Sequence, residues 1–537
     1  MVQVCREVPL MPLSGHFVAA PHDDGDPVTG HYFETASNDP ARPQAWCYTS
    51  RLCYAPGEVL HLHAVAHLPR AQLTIARDGV QPVTMIDTVI PAGFAPTPAD
   101  CSVTGCGWPE RFAMTIPAEW PSGLYRVTIA AGDEVSDHMF VLRPAQPTAP
   151  VLFLLTTGTW AAYNDWGGSN HYQGLTGPAG RDFSPHVSLL RPWARGFVRW
   201  PEGAPRIPHR SPPLTRPRYP HMEFARARGV SKKYASSGWA AFERPFALWC
   251  EAQGIALDYA TQHDLHRDPA LLDRYARVVI VGHDEYWTWE SRDAMDRWLE
   301  AGGELVRMAG NFFWQTRLSA DGLTQTCFKG RARAEDPLAD TPRITSYWDD
   351  PRTGRPATRT MGLTGAMGVY AGWSRCAAQG AGGFTVYRPD HWTLADTGLG
   401  YGDVLGRDAQ VFAYEVDGVD HTMEQGLPFA TDPALRDALT IVALSLATTL
   451  AHATGPDDAD AFIGSADAEE VAAIVHGGLT TETLGRASRG NGCLAEYRRG
   501  RGRVVNAASC EWVAGLIARD PQVETVTRRL MADPWPA

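Results

Sequence analysis

The period of the hydrophobic pattern changes once along this chain, near residue 150. From about residue 50 to residue 143, short apolar runs (VLHLHAVAHL, AQLTIARDG, RFAMTIP and LYRVTIAAG) are separated by Pro, Gly and Asp. Alternation in LHLHAV and LYRVTI gives each strand one wet face and one core face. Strands at this spacing, with no helical stretch between them, predict an antiparallel β-sandwich. Residues 143–150, rich in Pro and Ala, read as a linker.

Beyond the linker the order becomes strand, polar turn, helix. Its clearest instance covers residues 275–310: a strand RVVIVG, the turn HDEYW, a helix over about 288–301 stopped by Gly302-Gly303, and a strand ELVRMAG. Met295, Trp298 and Leu299 fall at helical spacing and Thr288 suits an N-cap. A right-handed crossover makes the two strands parallel, so His283, Glu285 and Asn311 leave the same sheet edge. A second helix is expected over about 240–253 and a long Ala- and Leu-rich helix over 432–452, with a final strand over 502–509. The Pro- and Arg-rich stretch 195–233 and the Gly-rich stretch 353–381 carry no usable period; loops this long in a compact domain are lids, interfaces or disordered. The expected organisation is a β-rich sandwich domain over 1–147, followed by an α/β core over 148–537. That core has a mostly parallel sheet and long loop insertions near 195–235 and 320–400.

Composition narrows the function. With 537 residues and 44% apolar content, the chain has enough for more than one core. A formal charge of −12 and no basic stripe argue against nucleic acid. The N-terminal MVQVCREVPLMPLSG lacks the apolar core of a secretory signal, and the most apolar later run, about a dozen residues, is too short for a membrane span. A soluble, cytoplasmic protein is expected. The ten cysteines form neither CxxC motifs nor a dense disulfide framework; the closest pairs are Cys47 with Cys53 and Cys101 with Cys106. Lysine occurs only at Lys232, Lys233 and Lys329 among 48 basic residues, which reads as genome composition.

Covalent nucleophiles are hard to place. GxSxG, CxxC, HExxH, a Walker loop and a strand-linked GxGxxG are all absent. Three polar strand-end motifs remain: Tyr163-Asn164-Asp165 after VLFLLTT, His283-Asp284-Glu285 after RVVIVG, and Asn311 after ELVRMAG. Ligand crevices of open α/β sheets lie beyond the carboxyl ends of the strands, so the three can converge. In an extended HDE segment His283 and Glu285 share a direction and Asp284 turns away. A carboxylate can bind a hard cation or act as a base, and a nearby His can move protons. The alternatives are helix capping by His283 and Asp284, and a packing role for Tyr163.

Taken together, TWAAYNDWGGSNHY, GHDEYWTWESRDAMDRWLEAGGELVRMAGNFFW and RVVNAASCEWVAGL resemble the large subunit of bacterial N,N-dimethylformamidase and its relatives, over roughly residue 150 to the C-terminus. The resemblance implies a glutamine-amidotransferase-like α/β core and a mononuclear iron, Fe3+, one per chain, held by two tyrosines and a glutamate. It also implies a small amide substrate, and assembly as homo-oligomers or with a small helical subunit. Residue by residue, it implies Tyr163 and Glu285 as metal ligands, His283 as a proton-transfer group, Asn311 as a polar site group, and Glu415 in FAYEVDG as a second glutamate. For the second tyrosine, Tyr219 in RPRYP is the nearest candidate, with His186 as the alternative ligand.

Phenolate and carboxylate are hard donors that suit ferric iron. The expectation is an amidohydrolase that cleaves a non-peptide C–N bond with metal-activated water, His283 or Glu415 protonating the departing amine. The competing readings are a non-catalytic carbohydrate- or partner-binding protein with an incomplete metal site, and a metal-free amidotransferase-like hydrolase.

Overall fold

The computed structural model describes residues 16–19, 32–174, 183–207, 220–370, 377–378, 382–448, 466–532 and 534–536. Between residues 45 and 142 two sheets face each other. One orders its strands Cys53–Tyr54, Glu134–Leu142, Gly123–Ala131, Arg70–Arg77 and Val83–Pro91; the other orders Ala45–Thr49, Val59–Ala66 and Glu110–Thr115. Alternation builds the shared core: Leu60, Leu62, Leu73, Ile75, Val127 and Ile129 all turn inward.

The larger sheet is mixed. Its first five strands, Leu257–Thr261, Val151–Leu155, Arg277–His283, Glu304–Gly310 and Gly502–Ala507, pair in parallel. Arg489–Arg499, Leu439–Thr448, Phe384–Val386 and Val404–Leu405 then continue it with antiparallel pairing. The expected parallel sheet therefore describes one half. Helix Trp289–Glu300 crosses from Arg277–His283 to Glu304–Gly310, and the Thr288 side chain accepts from the Ser291 amide at its N-terminus.

One expected element is wrong. Residues 432–448 are not part of a long helix: only the turn Pro433–Arg436 is helical, and Leu439–Thr448 is a strand paired with Arg489–Arg499, while the rest of the expected helix, 449–452, lies outside the described residues. Leu439, Ile441 and Leu444 pack into one core, whereas Val442, Ala443 and Ala447 pack into another. A strand buried on both faces loses its alternation, and its Ala and Leu content then imitates a helix.

The sandwich is fastened to the core by buried polar groups. Asp258 accepts from the backbone amides of Thr148 at 2.7 Å and Ala149 at 3.1 Å and from the Tyr275 hydroxyl at 2.9 Å. Asp78 accepts from Trp239 at 2.7 Å and takes both arms of Arg244 at 2.7 and 3.1 Å.

Candidate active site

Parallel pairing sets the geometry. His283 is in register with Gly310, so Asn311 stands one residue beyond the same strand end. Gly310 has no side chain where one would collide: a Cβ there would lie 2.2 Å from the Glu415 carbonyl oxygen. Strand Glu415–Gly418 can therefore lie close over the sheet edge. The two non-glycine residues that flank this crossing, Asn311 (φ 64°) and Tyr414 (φ 57°), adopt left-handed backbone, which is uncommon for a ring as large as that of Tyr414.

A buried ion triad holds these segments. Asp284 turns away from His283 and Glu285 and takes both arms of Arg307, at 2.7 and 2.5 Å. The third nitrogen of Arg307 meets Asp417 at 2.7 Å, and Asp417 accepts the Asn311 amide at 2.7 Å. All three charged side chains are fully buried. Burial raises the Asp284 carboxyl to about 6, opposed by Arg307. Burial also works against the Arg307 charge, but Asp284 and Asp417 together hold its pKa above the ordinary value. One guanidinium thus sets the spacing between the His283 turn, Asn311 and the strand carrying Glu415.

On the other side of the turn, Glu285 is the hub. Its amide donates to Thr159 Oγ1 at 2.9 Å, and its carboxylate accepts from Trp314 Nε1 at 2.7 Å. The Tyr172 hydroxyl lies 2.7 Å from both carboxylate oxygens and accepts from the Tyr286 hydroxyl at 2.8 Å. The Tyr163 ring packs on Tyr172, with centroids 4.4 Å apart, and against His283 at 5.2 Å. Desolvation, reinforced by Glu285, pushes the phenols of Tyr163, Tyr172 and Tyr286 well above their ordinary value.

His283 is oriented by its neighbours. Its Nδ1 lies 3.0 Å from the Ser236 carbonyl, an acceptor only, so Nδ1 carries the proton. Nε2 faces Glu285 Oε2 at 3.3 Å and Asn311 Nδ2 at 3.5 Å. Desolvation lowers the His283 pKa, partly offset by Glu285, which favours a neutral imidazole with its Nε2 lone pair turned into the site. Asn311 Oδ1 is buried with no hydrogen-bond partner among the described residues.

The structure thus brings Tyr163, His283, Glu285 and Asn311 together. Glu415 joins them: it is buried, and its charge acts on Tyr163, Tyr286 and Lys233. His186 is turned to other partners, bonding Thr326 Oγ1 at 3.0 Å and packing on Phe328. Tyr219 lies outside the described residues.

Tyr172 is the residue that sequence reasoning missed. It sits nine positions after Tyr163, beyond Gly167-Gly168, and the turn at these glycines returns it to the first phenol. Two of the chain's three lysines are here as well, which the reading of lysine as mere genome composition overlooked. Lys329 Nζ stands 3.3 Å over the Tyr172 ring and Lys233 Nζ 4.7 Å from it, both in cation–π range. Burial lowers the Lys233 pKa to about 8.

Tyr163 closes the short helix Thr157–Tyr163, and a buried carboxyl holds the start of that helix. Glu243 Oε1 accepts from both Thr156 Oγ1 and Trp160 Nε1. Burial raises Glu243 from 4.5 to about 8. A carboxyl raised by folding contributes stability that is complete below its unfolded value and is lost as pH climbs through its folded value. Between these limits the slope approaches about 1.4 kcal/mol per pH unit. Glu243→Gln keeps the acceptor and removes the titration. Its unfolding free energy should therefore gain on the wild type steadily from about pH 5 to pH 8, as read by urea denaturation. Parallel stability curves would refute this role.

Comparison with known proteins identifies a family. A family model described as N,N-dimethylformamidase beta subunit-like, C-terminal, matches residues 78–524. The chain belongs to this family. Within the N,N-dimethylformamidase group, the beta subunit from an Alcaligenes species is 29% identical over 232 residues, which are 40% of this chain and 28% of that protein. The beta subunit from Paracoccus aminophilus is 28% identical over the same length and shares. The match therefore spans 28% of the length of each of these relatives. Among solved structures, a DUF4784 family protein from Bacteroides caccae matches 20% of this chain and 25% of its own, at 12% identity and a TM-score of 0.12.

Proposed function

We propose that this chain hydrolyses the C–N bond of a small non-peptide amide at a mononuclear ferric iron held by Tyr163, Tyr172 and Glu285. The observation that carries this reading is one phenol, Tyr172, bonded to both oxygens of the Glu285 carboxylate, with a second phenol, Tyr163, packed against its ring at the strand end that also bears His283 and Asn311.

The donor set fits the ion. All three groups offer hard oxygen, which favours ferric iron over soft metals. A cation at this edge would draw two of its three protein oxygens from the phenols. Desolvation keeps those phenols protonated as they stand, and a highly charged cation between them would draw the protons off. When bound, iron would supply Lewis acidity toward an amide carbonyl and acidify water.

The chain's own residues would do the rest. His283, neutral and anchored by Ser236, presents Nε2 to accept a proton from water and return it. Asn311 offers an amide to orient the substrate carbonyl, and Glu415 is the second group able to protonate the departing amine, which leaves poorly as an anion. Trp314, Tyr286 and Phe313 wall the site with aromatic surface that suits a small, weakly polar amide. In this reading the parallel half of the sheet serves as a glutamine-amidotransferase-like platform. The relatives are named beta subunits, and a companion subunit belongs to the same proposal.

The test is metal analysis of the purified chain, alongside visible spectroscopy and amine release from N,N-dimethylformamide and related small amides. Roughly one iron per chain with phenolate-to-iron absorption is expected. Protein without iron and without that absorption would sink the mechanism.

A further inference from the structure

A side chain outside the proposed chemistry ties the segment carrying Tyr172 to the helix carrying Tyr163. Helix Thr157–Tyr163 is short, and the carbonyls of its last residues have no helical amide to accept. The returning chain meets two of them: the His171 amide donates to the Ala162 carbonyl at 3.0 Å, and Asn170 Nδ2 donates to the Tyr163 carbonyl at 3.0 Å. Asn170 Oδ1 in turn accepts the backbone amides of Tyr172 and Gln173, each at 2.8 Å. One carboxamide is therefore bonded to the backbones of both phenol residues.

Asn170 is itself held firmly. It is fully buried, its amide donates to the Gln173 carbonyl at 2.9 Å, and its carbonyl accepts the Ser184 amide at 2.8 Å. Closing a turn on the amides two and three residues ahead is ordinary for asparagine; using the other end of the same side chain to grip a separate helix is not. The first half of the loop has different supports. Arg191 donates to the carbonyls of Asn164 at 2.9 Å, Trp166 at 2.5 Å and Ser169 at 3.0 Å, and Cys101 Sγ donates to that of Gly167 at 3.6 Å. Those contacts set where the chain reverses, at Gly167 (φ 89°) and Gly168 (φ 109°). Asn170 sets where Tyr172 comes to rest against Tyr163.

We propose that Asn170 is a positioning residue that fixes the spacing of the Tyr163 and Tyr172 phenols, and through it the strength with which the site holds its metal. The second half of this statement rests on the assignment of both phenols to iron. Asparagine suits the task because it presents a donor and an acceptor on one rigid plane. Serine offers a single oxygen: it keeps an acceptor for the Tyr172 and Gln173 amides and gives up the tie to Tyr163.

The experiment compares the full-length wild type with Asn170→Ala and Asn170→Ser, each labelled with 3-fluorotyrosine and free of added metal. Tyr163→Phe and Tyr172→Phe identify the two fluorine resonances. Both should shift in Asn170→Ala and shift less in Asn170→Ser, while the resonances of tyrosines in the sandwich, such as Tyr54 and Tyr125, stay in place. Unchanged resonances for Tyr163 and Tyr172 would overturn the positioning role, as would equal movement of the sandwich tyrosines, which would mean general loosening. Ferric iron is then titrated into the same proteins. Asn170→Ala should bind it about 10- to 100-fold more weakly than wild type, the usual cost of losing a residue that orients ligands, and Asn170→Ser should lie between. Wild-type iron affinity in Asn170→Ala would overturn the link to the metal. A wild type that binds no iron would sink the metal assignment instead, and the fluorine spectra would still decide whether Asn170 places the phenols.

Discussion

Arg307→Met is expected to lower the unfolding free energy by about 3–5 kcal/mol, the cost of stranding buried charges whose partner has been removed. Met fills much of the aliphatic volume, so the loss is chiefly electrostatic. Asp284 and Asp417, both fully buried, would face each other without a cation, and at least one would have to be protonated. Arg307→Lys should fall between wild type and Met, because an ammonium neutralises the pair but cannot hold Asp284 by two bonds while reaching Asp417. Converting Asp284 and Asp417 to Asn in the Arg307→Met background should recover a large part of the loss, since neutral amides carry no unpaired charge. Guanidinium denaturation reads all four proteins. A wild-type midpoint for Arg307→Met would mean the triad contributes nothing to stability.

The triad also shows which parts of the site could be read from sequence. RVVIVGHDE and the helix after it were legible because each signal is local: a buried apolar run, alternation at its end, Thr288 as cap and Gly302-Gly303 as stop. His283 and Glu285 face one another and Asp284 turns away, as the alternation of an extended segment dictates. Arg307, within ELVRMAG, drew no expectation from the sequence. Its partners stand 23 residues before it and 110 after it, and no local pattern names them.

Other misreadings have equally definite causes. Tyr163 was expected directly at a strand end but closes a short helix that follows the strand, because TGTWAAY can run from the strand straight into helical backbone. Strand Leu439–Thr448 was mistaken for helix because burial on both faces erased its alternation. Tyr172 depends on a chain reversal at Gly167-Gly168 whose direction only the packing against Cys101 and Arg191 decides. The rarity of lysine was plain in the sequence, and its meaning at Lys233 and Lys329 became visible only when both ammonium groups were found against Tyr172.

Tyr172→Phe and Tyr163→Phe are expected to have equal and large effects on the metal. Each deletes one anionic donor while keeping the ring that packs on the other, so the fold should survive. Loss of the Tyr172 hydroxyl would take from Glu285 a hydrogen bond worth about 1–3 kcal/mol, with Trp314 Nε1 still donating to the carboxylate. Iron affinity should fall by more than about 100-fold in either variant, beyond what the loss of a supporting residue costs. Phenolate-to-iron absorption should weaken in each single variant and vanish in the double variant. Amide hydrolysis should drop by about a thousandfold, equivalent to roughly 4 kcal/mol of transition-state stabilisation. The comparison with Tyr219→Phe is decisive. If Tyr219 supplies the second phenolate, its replacement will weaken the band and Tyr172→Phe will leave it intact; if Tyr172 does, the two results will be reversed. The same spectra therefore decide whether the phenol hydrogen-bonded to Glu285 is a ligand or only its neighbour.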